Sequence, residues 1–224
     1  MKLLTTTSAK LDKSQNDKWL NGILYLDPTY NPKVCQGATE ACRASCLINS
    51  GRMRMESAVQ ARKNRTELYF TNRQLFIQGI SYEIAILHLK AIKQGKKLAI
   101  RLNGTSDLDF SEVYENFPNV QFYEYTKRAD LARKLKSFNN VHITMSRTEK
   151  TTVEQIRAII ARGINVAVVF DDRNEMPTEW HGMKVINGDD SDRRYEDKEG
   201  CIVGLKLKGT NDIKNIARAS QFAV

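Results

Sequence analysis

The chain has 224 residues, 41% of them hydrophobic, with four cysteines and a formal charge of +9. That length fits one domain with a sizeable core. No apolar run approaches the ~20 residues that span a bilayer, and Met1 to Thr7 hold no secretory core, so a membrane segment and a secreted disulfide scaffold are set aside. The expectation is a cytoplasmic protein with reduced thiols, in which clustered cysteines point to metal or redox chemistry.

In chain order, residues 1–22 are polar and read as an N-terminal appendage; a body over 23–209 and a tail over 210–224 complete a single domain, 1–224. The body opens on the apolar run Ile23-Leu24-Tyr25-Leu26, ended by Asp27-Pro28. Asn31-Pro32, Gly37 and Gly51 then mark a loop over 31–51 that carries three cysteines. Met55 to Phe70 reads as a basic amphipathic helix, and a second helix is predicted from Arg73 to Lys93, stopped by Gly95.

Beyond Gly95 the period changes from helical to β. Predicted strands lie at Leu98–Leu102, Val120–Tyr125, Val141–Met145, Val166–Phe170, Lys184–Ile186 and Cys201–Leu205, with helices at Ala129–Ser137 and Thr152–Arg162. With Ile23–Leu26 this makes about seven strands in βαβ alternation. The expected fold is α/β, a full or partial parallel (β/α) barrel, with an open doubly wound sheet as the alternative. Polar residues follow the strands repeatedly: Asn103, Thr105 and Asp107; Thr126 and Lys127; Ser146 and Arg147; Asp171, Asp172 and Arg173. In a parallel barrel, loops after the strands meet at one mouth, so these residues are expected to converge.

Cys42 and Cys46 are four apart, so one helical turn would put both sulfurs on one face, and Cys35 can fold back to join them. Three soft thiolates suit zinc or an iron–sulfur cluster, although the paired Cys-x-x-Cys units of a zinc ribbon are lacking. Cys201 is either a fourth ligand or a core residue of the last strand. Chance packing of buried cysteines is the competing explanation for all of them.

Residues 1–110 hold 17 Lys and Arg against 9 Asp and Glu, whereas the rest hold 18 against 17. Much of the excess lies at Arg52, Arg54, Arg62, Lys63, Arg65 and Arg73. These residues form either a solvated helix face or a surface for nucleic acid, with Tyr69 and Phe70 placed for base stacking.

Seven segments occur in order that together resemble one family. They are the cysteine loop, Arg101-Leu-Asn-Gly-Thr-Ser-Asp107, Gln121-Phe-Tyr-Glu-Tyr-Thr-Lys127, Thr144-Met-Ser-Arg147, Asn165-Val-Ala-Val-Val-Phe170, Asn187-Gly-Asp-Asp-Ser-Asp192-Arg193 and Ile202-Val-Gly-Leu-Lys-Leu-Lys208. The chain resembles the "gene product 88" family of phages, prophages and plasmids, which itself looks like a reduced relative of radical S-adenosylmethionine (SAM) enzymes. The resemblance implies a [4Fe–4S] cluster on Cys35, Cys42 and Cys46. In the radical SAM enzymes such a cluster chelates SAM and cleaves it reductively to a 5′-deoxyadenosyl radical. Their Cys-x3-Cys-x2-Cys spacing differs from the six and three intervening residues here.

Carried over by position, Asn103, Thr105, Asp107 and Ser146 are implied cofactor neighbours, and Lys127, Arg147 and Asp192 implied catalytic groups. The functional expectation is an iron–sulfur enzyme acting on a nucleic acid or nucleotide inside a host cell. Its rivals are a non-catalytic phage nucleic-acid-binding or replication-associated protein with a structural metal, and a zinc-dependent binding module.

Overall fold

The computed structural model describes residues 1–6 and 18–224; residues 7–17, inside the expected appendage, lie outside the described residues. Among the described residues there are nine strands: β1 (Leu4–Thr5), β2 (Trp19–Leu24), β3 (Lys97–Arg101), β4 (Gln121–Thr126), β5 (Val141–Ser146), β6 (Asn165–Phe170), β7 (Glu179–Trp180), β8 (Met183–Asn187) and β9 (Ile202–Lys206). Seven α-helices accompany them: α1 (Glu40–Ala44), α2 (Glu56–Thr71), α3 (Arg73–Lys93), α4 (Ser111–Asn116), α5 (Ala129–Leu135), α6 (Val153–Ile160) and α7 (Asn211–Ala219). The architecture is mixed α/β, built on one mostly parallel sheet of order β1-β2-β3-β4-β5-β6-β9-β8-β7. No ladder among the described residues joins β1 to β7, so the sheet is not closed.

β1 pairs antiparallel with β2, and β7 with β8; every other ladder is parallel. The order follows the chain until β9 inserts between β6 and β8. Burial explains the exchange. β9 begins Ile202-Val203-Gly204, buried throughout, which suits an interior strand, whereas β8 exposes Lys184 and suits a place near the edge.

Alternation along the strands makes two unlike faces. Leu24, Ile100, Phe122, Ile143, Val166 and Ile202 join Phe76, Ile80 and Ile84 of α3, Tyr114 of α4, Leu131 and Leu135 of α5 and Ile156 of α6 in one core. On the opposite face the β8–β9 connection lies against the sheet. Its Tyr195 ring meets Tyr123 edge-on at 5.4 Å and Trp19 at a tilt at 4.5 Å, and its hydroxyl donates to Asn21 at 3.3 Å. Arg194 beside it is among the largest fully buried side chains, with Asp197 at 3.2 Å.

α3 is capped by Asn72, whose side chain accepts from Leu75 N, and ends at Gly95 with φ +64, a backbone state that costs glycine little. It is long and apolar enough to cross a membrane by length and composition alone, which the reading of the sequence missed. The reason is that its charges sit at its ends, Arg73, Lys90 and Lys93, with only Glu83 between. Phe76, Ile80, Ile84 and Ala91 of α3 are fully buried in the core.

α2 departs from the expected basic surface. Its buried positions are Arg62, Arg65, Thr66 and Tyr69, so the stripe facing inward is partly cationic. Arg62 is 3% exposed, lies 3.4 Å from Asp27 Oδ2 and donates to Met53 O at 2.9 Å; Arg65 is 8% exposed and donates to Lys2 O at 3.1 Å. Tyr69 is buried against Phe76 and Phe110, and Arg73 pairs with Glu112. Arg52 and Arg54 are exposed and Lys63 half-buried, so the outward part of the segment reduces to these three and Arg73, which is exposed but paired with Glu112.

Candidate metal centre and cavity

The cysteine loop is built by short caps. Asn31 accepts from Lys33 N at 3.0 Å and opens a 3-10 turn, Pro32–Cys35. Thr39 then accepts from Cys42 N at 3.2 Å to start α1, and its hydroxyl donates to Glu149 at 2.8 Å. α1 ends at Ala44, so Cys46 falls one residue past its cap, at the head of a second 3-10 turn, Leu47–Asn49. Gly37 is required by close approach: a Cβ there would lie 2.7 Å from Asp107 Oδ2 and 2.9 Å from Lys127 Cβ. The cysteine loop therefore rests directly on the ends of β3 and β4.

Beneath it the strand-end loops are tied together by buried polar groups. Asp107 accepts from the Thr126 hydroxyl at 2.5 Å and from Lys127 N at 3.0 Å, while its own N–H donates to Val34 O at 2.8 Å. The Asn103 side chain accepts from Ser106 Oγ and Leu108 N and donates to Leu108 O. The Thr105 hydroxyl donates to Leu26 O at 2.5 Å. Glu124, fully buried, accepts from the N–H groups of Leu102 and Asn103 at 2.7 and 2.9 Å. Burial raises its carboxyl to about 7, against the lowering effect of those two amides.

A cavity of about 670 Å³ opens over these loops. Cys35, Cys42 and Cys46 line it together with Asn103, Thr105, Lys127, Ser146, Arg147 and Asp192. Asp107 does not line it and acts through Thr126 and Lys127. Asp171 and Asp172 are also absent from the lining; they pair with Arg173, Lys214 and Arg218. Cys201 lies at the opposite end of the strands, just ahead of β9, where its thiol donates to Lys198 O at 3.0 Å.

The thiols and Lys127 are electrostatically coupled. Burial raises the Cys35 thiol to about 11, partly offset by Lys127 and reinforced by Asp107, Cys42 and Cys46. Burial also raises Cys46. For Lys127, burial favours the neutral amine, but Cys42, Cys35, Asp107 and Cys46 outweigh it and hold the ammonium above its usual range. Among the described residues no three His, Cys, Asp or Glu side chains are grouped to hold a single metal ion.

Other lining residues were not singled out from the sequence. Arg101 stacks its guanidinium 4.3 Å from the Tyr125 ring centroid, donates to Asn103 O at 3.0 Å and sits 4.0 Å from Asp192. Arg43, Lys206 and Lys208 add positive charge, and Phe222 adds an apolar edge from the chain's end. Arg147 holds that end in place by donating to the carbonyls of Gln221 and Phe222 at 3.0 and 3.1 Å. The alternation Leu205-Lys206-Leu207-Lys208 was the available signal for the two lysines.

No curated protein matches the chain, and no solved structure matches it. A family model, Gene product 88, matches residues 2–223. The chain therefore belongs to the phage gene product 88 family.

Proposed function

We propose that the chain is a radical-SAM-like iron–sulfur enzyme with a partial-barrel scaffold. In this reading Cys35, Cys42 and Cys46 hold a [4Fe–4S] cluster, and SAM shares the cavity with an anionic substrate of the nucleotide or nucleic-acid class. One observation carries the reading: three thiols from one loop line a single cavity at the strand ends, with Lys127 among them. The donor set fits such a cluster in kind, because thiolates are soft and three of them leave one iron for a small-molecule ligand. It fits a closed structural zinc site poorly, since that needs four protein donors and Cys201 is at the other end of the strands.

The bound cluster would supply the reducing electron that cleaves SAM. The chain's own groups do the rest. Lys127, a buried ammonium beside the three cysteines, balances the negative charge of thiolates and cluster. The Ser146 hydroxyl offers a donor and acceptor to the ribose of SAM. Asn103, Thr105 and Asp107 hold the loop that forms the cavity floor. Arg147 faces the anionic group of a substrate or of SAM, and Asp192 holds Arg101 in place.

Charge supports the substrate class: Arg43, Arg101, Lys127, Arg147, Lys206 and Lys208 line the cavity against Asp189 and Asp192. The test is anaerobic reconstitution with iron and sulfide, followed by assay for 5′-deoxyadenosine from SAM under a chemical reductant. Cluster formation with 5′-deoxyadenosine release supports the enzyme. A cluster without release reduces the reading to an iron–sulfur binding protein, and a colourless zinc-loaded protein removes it.

A further inference from the structure

The helix α3 carries a second apolar surface, on the side away from the core. Leu75, Tyr82, Ile86, Leu89 and Ile92 are 52, 68, 49, 57 and 59% exposed. Leu75, Tyr82 and Leu89 recur every seven residues, with Gln78 and Ile86 four residues to either side of Tyr82, so they form one stripe along the helix. Lys93, in the last turn, is the one charge in line with Tyr82; Arg73 and Glu83 lie towards the core side and Lys90 at the stripe's margin. Four large apolar side chains in a row, with Ile92 at the margin and each about half exposed or more, are more than scattered surface hydrophobics.

We infer that this stripe is a homodimer interface, in which α3 packs antiparallel against α3 of a second copy. The spacing is what selects a second copy. Tyr82 lies midway between Leu75 and Leu89, and midway between Gln78 and Ile86. A twofold axis through Tyr82 therefore sets Leu75 against Leu89 of the partner subunit, and Gln78 against Ile86 of the partner subunit. That is the self-complementarity an isologous interface requires. Antiparallel packing also sets the negative end of each helix dipole beside the positive end of the other and keeps Lys93 away from Lys93 of the partner subunit.

Size agrees. The 21-residue helix is roughly 31 Å long, and the exposed parts of the five residues amount to on the order of 600 Å², close to the ~800 Å² per partner of a standard interface. A bilayer is the weaker occupant, because the reverse side of α3 is committed to the core through Phe76, Ile80, Ile84 and Ala91. The stripe also contains Gln78 and lacks a tryptophan at either end.

The test is the mass of the full chain by light scattering across a concentration series, with wild type and a Tyr82→Lys/Leu89→Lys variant. The inference expects twice 25.6 kDa for wild type. It expects a weakening of at least ~100-fold in the variant, with unchanged circular dichroism and melting. A Tyr82→Cys variant keeps the test sharp if the lysines disturb folding, since it should cross-link to itself through a short thiol-reactive linker far more than wild type does. A monomeric wild type overturns the inference. So does a dimer indifferent to the lysines with no Tyr82→Cys cross-link, and so does a monomer that sediments with anionic phosphatidylserine vesicles.

Discussion

Asp107, at the end of the β3 loop, is joined to Thr126, at the end of β4, by a 2.5 Å hydrogen bond between hydroxyl and carboxylate. The same carboxylate takes the N–H of Lys127, the next residue along. This one side chain thereby fixes the position of the lysine that faces the thiols. Asp107→Ala leaves a buried hydroxyl and a backbone N–H without their acceptor, at a cost of roughly 2–4 kcal/mol. Urea unfolding of the iron-free protein checks it; a loss below ~1 kcal/mol would mean that water replaces the carboxylate.

Gly37 tests how the cysteine loop is seated. Alanine there meets Asp107 Oδ2 and Lys127 Cβ at 2.7 and 2.9 Å, so the loop must lift from the strand ends. The expected result is a sharp drop in iron bound after reconstitution, with a smaller change in melting temperature, because Val34 is the loop's one residue in the main core. Full iron content in Gly37→Ala would show that the seat is not needed for the cluster.

Glu124 gives a pH dependence with a definite sign. Burial raises its carboxyl from 4.5 to about 7, so the folded state holds its proton more tightly than the unfolded chain does. The associated stability is fully present below about 4.5 and is lost as pH rises through about 7, a change of up to about 3 kcal/mol. Melting of wild type should therefore fall between pH 5 and 8 by more than that of Glu124→Gln. Parallel profiles for the two proteins would remove Glu124 as the source. Asp197, raised to about 6 by burial, contributes in the same direction to both.

The arginines of the basic segment divide into two kinds. Arg62→Ala strands Asp27 Oδ2 in the core and is expected to cost ~3–5 kcal/mol, the cost of breaking a buried pair by removing one partner. Arg52→Ala/Arg54→Ala should leave stability unchanged. If the segment meets a polyanion, each charge removed lowers the salt slope of binding by about one. Single-stranded DNA and RNA titrations over a salt series read this; identical slopes for wild type and the double variant exclude these two residues as phosphate contacts.

What the sequence disclosed follows from which signals are local. β-rich runs alternating with helical ones pointed to seven strands, which correspond to the seven parallel strands of the sheet, β2, β3, β4, β5, β6, β8 and β9, although the first, expected at Ile23–Leu26, lies at Trp19–Leu24 and draws residues 19–22 of the expected appendage into the sheet. The insertion of β9 between β6 and β8 was not legible, because strand order is a property of pairing and leaves only a faint trace in burial along β8. The site was legible as a set of strand ends, since Asn103, Lys127, Arg147 and Asp192 share the cysteines' cavity.

Their individual bonds were not legible. Asp107 looks like a cofactor acceptor in sequence yet spends both oxygens on Thr126 and Lys127. Arg62 and Arg65 misled for the same reason: charge suggests solvent, and only the helical spacing Arg62-Arg65-Thr66-Tyr69 marks them as one buried stripe. Arg194, fully buried within the polar run from Asp189 to Gly200, offers no such pattern.

The measurement that bears most directly on the proposed metal centre is iron and sulfide content after anaerobic reconstitution of five proteins: wild type, Cys35→Ser, Cys42→Ser, Cys46→Ser and Cys201→Ser. The account predicts about four iron and four sulfide per chain for wild type, with broad visible absorption. It predicts near-complete loss in each of the first three variants and retention in Cys201→Ser, whose thiol is bonded to Lys198 O at the far end of the strands. Wild type that takes up no iron, or equal loss from Cys201→Ser and Cys42→Ser, would contradict it.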